Sequence, residues 1–363
     1  MVFPKLHKLA IWAVTPNGVK LADRLADSLP EADIFVSRKL VDKKSSHIQF
    51  EKLSAILEEK FAQYSGHIFI MSTGIVVRVL ASLIQSKTGD PAVVVVDDLG
   101  IHAISFLSGH IGGANELTYK IADIVKANPV ITTATDINGV PAIDVLAIQN
   151  DLVIENPGAI KTVNMALLRR EKIWLHDPFN FLTPSLLGST SGVFRKSTCN
   201  IRKPSQQSVI TNEPFVYVDD VLGELPSNVL ILRPPTLVAG IGCNRGTDAR
   251  EIRTHLKDVL ESHGLASNSL KYLASIDVKN DETGLIAVSN SIGKPLVFFT
   301  REELNQVKGI KNPSSVVEKH VGVKSVCEAA AILASRDGTL IVPKQSTRNV
   351  TVAIARINFS LSE

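Results

Sequence analysis

Short hydrophobic runs alternate with amphipathic stretches along the first 145 residues of the chain. Runs typical of buried strands span Leu9 to Val14, Ile34 to Val36, His67 to Met71, Ala92 to Val96, Ile104 to Leu107 and Pro129 to Thr133. Helical patterns lie between several of these runs, and this alternation predicts a mostly parallel sheet with helices on both faces. Asp98-Leu99-Gly100 predicts the turn of a local hairpin at one edge of that sheet.

The pattern weakens between about Asp151 and Pro235, where many prolines and polar stretches such as 203–208 resemble loops. It then becomes regular again, with strand-like runs at Leu237 to Ile241, Leu296 to Phe299, Leu340 to Val342 and Val350 to Ile357, and helical patterns at Asp248 to His263 and Val326 to Leu333. The 363 residues are too many for one typical core. We predict an α/β protein of three domains: an N-terminal domain with a mostly parallel sheet (1–145), a smaller irregular middle domain (146–234) and a separate C-terminal α/β domain (235–363).

The composition excludes several classes of protein. Hydrophobic residues make up 45% and the formal net charge is +3, which favours a globular chain. The sequence contains no basic stripe with interleaved aromatics, the pattern that would predict nucleic-acid binding. No apolar run approaches the ~20 residues that a bilayer requires, and no secretory signal is visible. Cys199, Cys243 and Cys327 are far apart, which predicts neither a metal site nor a disulfide framework. A reducing cytoplasm is the compartment that this composition favours.

The segment from Ser108 to Thr118 is the strongest candidate for chemistry. It follows a strand-like run and opens a helix, and its glycines permit positive φ angles and close approach of a ligand. The first turn of the helix would leave unpaired N–H groups suited to an anion. His110 titrates near neutral pH, and Glu116 could act as a base. On these residues alone, a functional site and a tight packing turn capped by Asn115 or Ser108 are equally supported.

Two further loops of the N-terminal region follow predicted strands. Ser72-Thr73-Gly74 precedes a helix that carries Arg78 in its first turn, where a guanidinium could bind a carboxylate. By itself that pattern favours an ordinary helix cap with a surface arginine. The segment from Ile131 to Gly139 is rich in hydroxyl groups. Ligands in open α/β sheets gather at the carboxyl ends of strands, so we expect such loops to line one crevice.

The C-terminal region contains a glycine-rich loop, Gly240 to Thr247, between a predicted strand and a predicted helix. Its spacing matches neither the dinucleotide fingerprint nor the Walker A loop, which leaves an anion cradle that contains Arg245. Cys243 has no histidine or acid tied to it by sequence and is more typical of close packing than of catalysis. Lys279, Glu282 and Lys344 lie in other loops of this region, and single lysines are usually solvated.

Taken together, these segments resemble the CbiG family, the cobalt-precorrin-5A hydrolases of anaerobic cobalamin biosynthesis. The most specific shared motif is Ser-Gly-His-x-Gly-Gly-Ala-Asn-Glu at residues 108–116. Other matching segments are Phe69 to Arg78, Asp90 to Val94, Val130 to Asp136, Gly240 to Thr247, Glu282 to Leu285, Glu328 to Ala331, Val342 to Lys344 and Thr351 to Ala355. The likeness covers most of residues 1–140 and 235–357. Asn244 departs from the family pattern, in which a basic residue is expected, and this weakens the case for one anion contact.

The resemblance implies an activity and a set of partners. The family acts on a ring-contracted cobalt tetrapyrrole, opens its δ-lactone with water and expels acetaldehyde, which leaves cobalt-precorrin-5B. The cobalt is carried by the substrate, so no protein-bound cofactor or metal is expected. The expected partner is the cobalt-tetrapyrrole substrate, without nucleic acid or membrane. The resemblance is compatible with transient contact with neighbouring enzymes of the pathway. It does not specify the oligomeric state.

The resemblance also implies site residues. Chemistry is expected to centre on His110 and Glu116, and a helix N-terminus is expected to keep Glu116 ionised and His110 neutral. The predicted substrate-binding residues are Thr73, Gly74, Arg78, Ser108, Gly109, Gly112, Gly113, Asn115, Thr132, Thr133, Asp136, Gly242, Cys243, Arg245, Gly246, Thr247, Lys279, Glu282 and Lys344. Arg78 and Arg245 are expected to bind substrate carboxylates. We expect the substrate to lie in a cleft between the N-terminal and C-terminal domains.

Two other classes of protein stay open at this point. A non-catalytic corrinoid-binding or carrier protein would use the same loops to hold a tetrapyrrole without chemistry. A nucleotide-binding transferase is the third reading, and the absence of a regular GxGxxG or Walker A loop counts weakly against it. Release of acetaldehyde from cobalt-precorrin-5A would separate a hydrolase from both.

Overall fold

The computed structural model describes residues 8–40, 46–86, 89–186, 192–197, 213–313 and 322–359. The polar stretch 203–208 and Cys199 lie outside these residues. The chain divides into two compact units, the first formed by residues 1–150, 160–171 and 188–193, and the second by residues 151–159, 172–187 and 194–363. None of the helices in the described segments is long and apolar enough to cross a membrane.

The first unit contains a seven-stranded sheet. Its strands are β1 (Leu9–Ala13), β2 (Ala32–Ser37), β3 (Ile48–Phe50), β4 (Gly66–Ile70), β5 (Ala92–Val96), β6 (His102–Leu107) and β7 (Asn128–Val130). They lie in the order β3-β2-β1-β4-β5-β6-β7, and every neighbouring pair is parallel except β5 and β6. The predicted mostly parallel sheet and its local hairpin are confirmed. The hairpin is not at the edge of the sheet, because the short strand β7 pairs with the outer side of β6.

Helices cover this sheet, and the alternation of side chains along its strands builds a core on each face. The helices are α1 (Pro16–Ala26), α2 (Leu53–Lys60), α3 (Thr73–Leu80), α4 (Ala114–Val125), α5 (Ala134–Ile137), α6 (Ile143–Gln149) and α7 (Ile160–Leu168). On one face Ile11 and Val94 pack with residues of α1 and α4, and on the other Trp12 and Phe69 pack with residues of α2 and α3. Successive residues of β1 therefore alternate between the two cores, as a period of two requires.

The antiparallel strand β6 determines where the predicted loops lie. Leu107, at the end of β6, pairs with Val93, near the start of β5. The carboxyl ends of β6 and β7 therefore lie at the edge of the sheet where β4 and β5 begin. The loop Ser72–Gly74 follows β4 and lies at the opposite edge, about 16 Å away at ~3.3 Å per strand residue. The expectation that these loops line one crevice is wrong for Ser72–Gly74, because the hairpin reverses the direction of the chain, whereas the loops that follow β6 and β7 lie at the same edge.

The second unit begins with a five-stranded sheet that corresponds to the smaller middle region. Its strands are β8 (Val153–Ile154), β9 (Ile173–His176), β10 (Phe194–Lys196), β11 (Phe215–Val218) and β12 (Val229–Arg233), in the order β10-β9-β11-β12-β8. All neighbours are parallel except β12 and β8. The strands are two to five residues long and are separated by prolines, so hydrophobic periodicity alone did not reveal them.

The separate C-terminal α/β region is confirmed as a second five-stranded sheet in the same unit. Its strands are β13 (Leu237–Cys243), β14 (Leu270–Ile276), β15 (Leu296–Phe299), β16 (Thr339–Ser346) and β17 (Val350–Arg356), in the order β15-β14-β13-β17-β16. Its helices are α8 (Ala249–Ser262), α9 (Thr283–Ile292), α10 (Arg301–Gln306) and α11 (Val326–Ala334). Strands β13, β14 and β15 are parallel, whereas β17 runs antiparallel to β13 and β16 to β17. The pattern along the sequence did not predict β14.

Helix α11 packs directly against β13 at Gly240, and this contact predicts a large effect on stability. A Cβ at position 240 would lie 1.9 Å from the carbonyl oxygen of Cys327. Backbone atoms of a helix cannot move aside without shifting the whole helix, so Gly240→Ala should lower the free energy of unfolding by about 3 kcal/mol. Urea denaturation measures this change. Gly158→Ala is the matched control, since its Cβ would meet no atom within 4 Å. Equal stability of the two variants would contradict the packing argument.

Candidate functional site

The loop between β6 and α4 is shaped by glycines that no larger residue could replace without movement. A Cβ on Gly112 would lie 2.3 Å from Cβ of Ser108, and one on Gly109 would lie 2.8 Å from Oδ1 of Asn115. Gly113 adopts φ of 85°, and Ser108 itself has φ of 57°, a left-handed conformation that is uncommon for serine. The glycines of the family motif are therefore explained by the packing of the loop onto itself.

The same loop caps helix α4 with its own carbonyl groups. The N–H of Ala114 donates to the Ser108 carbonyl at 3.1 Å, and the N–H of Asn115 donates to the Gly109 carbonyl at 3.0 Å. No side chain caps this helix. The prediction that the first turn of α4 offers unpaired N–H groups to an anion is wrong for these two groups. The alternative of a tight turn with a capping role for Ser108 is confirmed, but the group that caps the helix is the Ser108 carbonyl and not a side chain.

His110 lies between two carboxylates. Its Nε2 atom is 2.8 Å from Oδ2 of Asp136, and its Nδ1 atom is 3.4 Å from Oδ2 of Asp144. The hydrogen bond with Asp144 raises the pKa of His110, burial opposes this rise, and Asp136 adds to it. The expectation of a neutral His110 is therefore wrong in direction, because two adjacent negative charges outweigh the helix terminus. A protonated imidazole held in this way can donate a proton.

Asn115 and Thr133 hold Asp136 in place. The Thr133 hydroxyl donates to Oδ2 of Asp136 at 2.5 Å, and the Asn115 amide donates to the same oxygen at 3.2 Å. Asn115 also donates to the Thr133 hydroxyl at 3.0 Å and accepts from the Ser105 hydroxyl at 2.6 Å. The structure therefore brings the predicted residues of the two loops that follow β6 and β7 into one hydrogen-bonded network around His110.

Asp144 and Asn164 complete this network, and neither was identified from the sequence. Asp144 is only 5% exposed, and the Asn164 amide donates to its Oδ1 atom at 3.1 Å. Burial alone would raise the pKa of Asp144, but hydrogen bonds from His110 and Asn164 hold that pKa below its usual range. The signal available in the sequence was a single carboxylate within the apolar run Ala142 to Leu146. An acid that such a run buries almost always has a partner.

Glu116 lies in the first turn of α4 and is half-buried. It forms no hydrogen bond or ion pair with any residue in the described part of the chain, and burial raises its pKa. The expectation that the helix terminus favours the ionised form is wrong in direction, because loss of hydration outweighs the helix dipole. A carboxyl group with a raised pKa is a stronger proton acceptor once it is ionised.

Thr73, Gly74 and Arg78 lie at the other edge of the sheet from His110. The Arg78 guanidinium donates to the carbonyl of Gly74 at 2.9 Å and is exposed. Thr132 is exposed where the chain leaves β7. Substrate binding by these residues stays a prediction.

A cleft of about 600 Å³ lies at one end of the C-terminal sheet. Of the predicted residues, those that line it are Gly242, Cys243, Arg245, Lys279 and Lys344, and Arg348 and Cys327 line it as well. The lining therefore combines several cationic side chains with two thiols. Burial raises the pKa of Cys243 and of Cys327, which disfavours their thiolate forms.

Glu282 fixes the glycine loop at the rim of this cleft. The carboxylate is buried, accepts a hydrogen bond from the N–H of Gly246 at 2.9 Å and pairs with the Lys279 ammonium at 3.2 Å. The Arg245 guanidinium is exposed and pairs with Asp281. Thr247 donates to the carbonyl of Asn244 at 2.8 Å within the same loop. These contacts position the loop from which Arg245 projects.

Glu328, which lies in one of the segments that resemble the family, positions Lys344. Its buried carboxylate accepts backbone N–H groups of Lys311 at 2.7 Å, Asn312 at 3.1 Å and Lys344 at 2.8 Å. Burial opposes ionisation, yet these hydrogen bonds hold the pKa of Glu328 below its usual range. The Lys344 ammonium donates to the carbonyl of Asn312 at 3.0 Å.

The contacts of His110 predict the effect of one substitution on its titration. Asp144→Asn should lower the pKa of His110, because the hydrogen bond to the Asp144 carboxylate is the main reason that this pKa is raised. The stabilisation that protonated His110 gives is full below the ordinary histidine pKa of ~6.5 and is lost as pH rises through the raised value. NMR titration of the imidazole carbon-bound protons measures the pKa. Asp123→Asn, on the surface of α4, is the control, and the same His110 titration in both variants would contradict the assignment.

Comparison with known proteins places these features in a family. The models for the cobalamin synthesis G N-terminus, the cobalamin biosynthesis central region and the cobalamin synthesis G C-terminus match residues 55–136, 141–234 and 237–355. Together they include the loop with His110, the middle sheet and the C-terminal cleft. The N-terminal match includes strands β4 to β7 of the first sheet, and the other two matches span the middle and C-terminal sheets.

Relatives match along nearly the whole chain. A cobalt-precorrin-5A hydrolase from Priestia megaterium is 34% identical over 96% of this chain and 95% of its own length. One from Salmonella typhimurium is 38% identical over 96% of this chain and 98% of its own. Among solved structures, a cobalamin biosynthesis protein G homologue from Sulfolobus solfataricus is 21% identical over 97% of this chain and 98% of its own, with a TM-score of 0.35. The three matched regions and the two full-length relatives show that this chain belongs to the CbiG family of cobalamin biosynthesis, that of the cobalt-precorrin-5A hydrolases.

Proposed function

We propose that this protein hydrolyses cobalt-precorrin-5A, opening its δ-lactone with water and releasing acetaldehyde to leave cobalt-precorrin-5B. Two full-length relatives that are named cobalt-precorrin-5A hydrolases support the substrate. The observation that carries the proposal is the position of His110 between Asp136 and Asp144, in the loop that leads to the unpaired carboxyl group of Glu116.

Lactone opening requires a base for water and a proton donor for the leaving oxygen. Ionised Glu116 takes a proton from water, whose oxygen bonds to the lactone carbonyl carbon. Protonated His110 stabilises the negative charge that develops on the carbonyl oxygen. The bond between the acyl carbon and the ring oxygen then breaks, and that oxygen accepts a proton from His110 to become a hydroxyl group. The proton that Glu116 took from water is then released, and His110 is protonated again.

Loss of the two-carbon unit follows from the hydroxyl group that lactone opening creates. Its proton is removed as the carbon–oxygen double bond of acetaldehyde forms and the carbon–carbon bond to the macrocycle breaks. The electron pair of that bond passes into the conjugated ring, which then takes up a proton. One water is consumed in total. The cobalt arrives with the substrate, and the proposal requires no protein-bound cofactor.

The cationic side chains of the C-terminal cleft suit a substrate with many carboxylates. Arg245, Lys279, Lys344 and Arg348 surround a space of about 600 Å³. Guanidinium groups bind carboxylates with two parallel hydrogen bonds, whereas an ammonium acts as a point charge. We propose that this cleft binds part of the carboxylate periphery of the substrate.

Incubation of the purified full chain with cobalt-precorrin-5A tests the proposed function. We expect acetaldehyde to accumulate in equal amount to the substrate consumed, with a tetrapyrrole product that has gained one water and lost acetaldehyde. The same mixture without protein is the control. A protein that binds the tetrapyrrole and releases no acetaldehyde would be a carrier, and the proposed hydrolysis would be wrong.

A further inference from the structure

The middle sheet presents another histidine–carboxylate pair, at the ends of two of its strands, and the proposed hydrolysis does not use it. Strands β9 and β11 are parallel neighbours, so their carboxyl ends lie at the same edge of the sheet. His176 is the last residue of β9, and Asp219 directly follows β11. The topology therefore brings two residues that are 43 positions apart into contact.

The contact determines which ring nitrogen of His176 is protonated. Nε2 of His176 is 3.0 Å from Oδ2 of Asp219, and the two side chains are 15% and 13% exposed. A carboxylate oxygen accepts hydrogen bonds, so Nε2 is the donor in this contact, and the lone pair of a singly protonated ring lies on Nδ1. Nδ1 has no hydrogen-bond partner among the residues that the structure describes.

Neighbouring groups fix the orientation of both members of the pair. The imidazole stacks on the Tyr217 ring, with centroids 4.8 Å apart and planes 8° from parallel. The Tyr217 hydroxyl donates to Oδ2 of Asp219 at 3.2 Å, and the N–H of Asp220 donates to its Oδ1 at 2.7 Å. A ring held from one face and from one nitrogen is pre-oriented to present the other nitrogen.

Two phenylalanines that closely follow His176 in the sequence form an aromatic cluster with Phe359. Phe181 and Phe359 lie 5.0 Å apart between ring centroids, and each is 6.4 Å from Phe179. Phe359 is 38% exposed. The Arg356 guanidinium lies 5.7 Å from the Phe179 ring and is anchored on Asp220, the residue next to Asp219. A partly exposed aromatic cluster beside a guanidinium suits a planar conjugated ligand with carboxylate side chains.

We propose that Nδ1 of His176 binds the cobalt of the bound tetrapyrrole as an axial ligand, with Asp219 as the orienting partner. This inference rests on the proposed function for the identity of the cobalt tetrapyrrole. Histidines that bind metals usually donate their other ring N–H to a carboxylate, which is the arrangement seen at His176. His110 and His67 are unsuited to the role, because both nitrogens of each ring already have partners.

Electron paramagnetic resonance of Co(II) cobyrinic acid bound to the full chain tests the proposal. This corrin has carboxylate side chains and lacks a nucleotide base, so any nitrogen axial ligand must come from the protein. We expect the cobalt lines of the wild-type complex to show additional splitting from one nitrogen nucleus, and His176→Ala to abolish it. Asp219→Asn should weaken corrin binding by ~10–100-fold. His255→Ala, which alters another partly buried histidine, should leave the splitting unchanged.

Two results would overturn the assignment: no nitrogen splitting in the wild-type complex, or splitting that persists in His176→Ala. Near-ultraviolet circular dichroism establishes that each variant is folded. The outcome is separable from that of the proposed function. Acetaldehyde release without a nitrogen ligand would remove His176 from the cobalt and leave the hydrolase intact, whereas nitrogen ligation without acetaldehyde release would do the reverse.

Discussion

Folded His110→Ala and Glu116→Gln proteins should release acetaldehyde ~10²–10⁴-fold more slowly than the wild type, because general acid–base catalysis typically contributes a factor of that size. Glu116→Gln removes the proton acceptor and keeps the shape of the side chain. His110→Ala removes the one cation that Asp136 and Asp144 share in the described network. The rate of acetaldehyde formation with cobalt-precorrin-5A in excess measures the effect, normalised to the folded fraction.

Controls for this experiment come from the second unit of the same chain. Glu251 occupies the first turn of α8, as Glu116 does in α4, so Glu251→Gln tests the loss of a carboxylate at a helix start. His255→Ala tests the loss of a partly buried imidazole. Both controls should retain near-normal rates. Near-normal rates in His110→Ala and Glu116→Gln would remove the two residues from the chemistry, and the loop would then have only a structural role.

Asp220→Ala should lower the free energy of unfolding of the second unit by about 3 kcal/mol, because it leaves a guanidinium without its carboxylate. Asp220 is fully buried and accepts two hydrogen bonds of 2.7 Å from Arg356 and one of 2.6 Å from Thr236. Arg356 belongs to β17 and Asp220 follows β11, so this pair joins the middle sheet to the C-terminal sheet within one unit. The side chain of Arg356 is 27% exposed, and hydration limits the loss to the lower end of the range for buried pairs.

Urea denaturation followed by circular dichroism measures this change, and a double-mutant cycle with Arg356→Ala isolates the coupling between the two residues. Asp258→Ala, which removes an exposed carboxylate of α8, should change stability by no more than ~0.5 kcal/mol. If Asp220→Ala is as stable as that control, the ion pair contributes nothing to joining the two sheets.

The carboxylate partners of His110 and of His176 differ in number, and this difference suits different chemistry. At His110 both nitrogens face carboxylates, so the ring is stabilised as a cation and has no free lone pair for a metal. At His176 one nitrogen faces a carboxylate, which leaves the other nitrogen a lone pair. The number of adjacent carboxylates therefore separates the residue proposed to move protons from the residue proposed to bind cobalt.

The sequence by itself determined the class of fold and the family. Runs such as Ala92 to Val96 are hydrophobic at every position, and only strands buried on both faces of a sheet require this, so the strands of the N-terminal sheet were predictable. The motif around His110 was visible as a cluster of glycines after a predicted strand, and Gly109 and Gly112 pack too closely against Asn115 and Ser108 to hold a Cβ. These signals are local, since each depends on residues that are close together along the chain.

The tertiary structure decided which of these residues meet and in which ionisation state. The reversal of the chain at the β5–β6 hairpin placed Arg78 and His110 at opposite edges, and pairing between strands is not encoded in the periodicity of either one. Asp144 reached His110 only through the fold, and this contact raised the pKa that a helix terminus alone would have lowered. The pKa of Glu116 is raised, although a helix N-terminus alone would lower it, because burial in the packed structure removes hydration from the carboxylate. Hydrophobic pattern and local geometry thus determine elements and loops, whereas electrostatics depends on distances that only the folded chain defines.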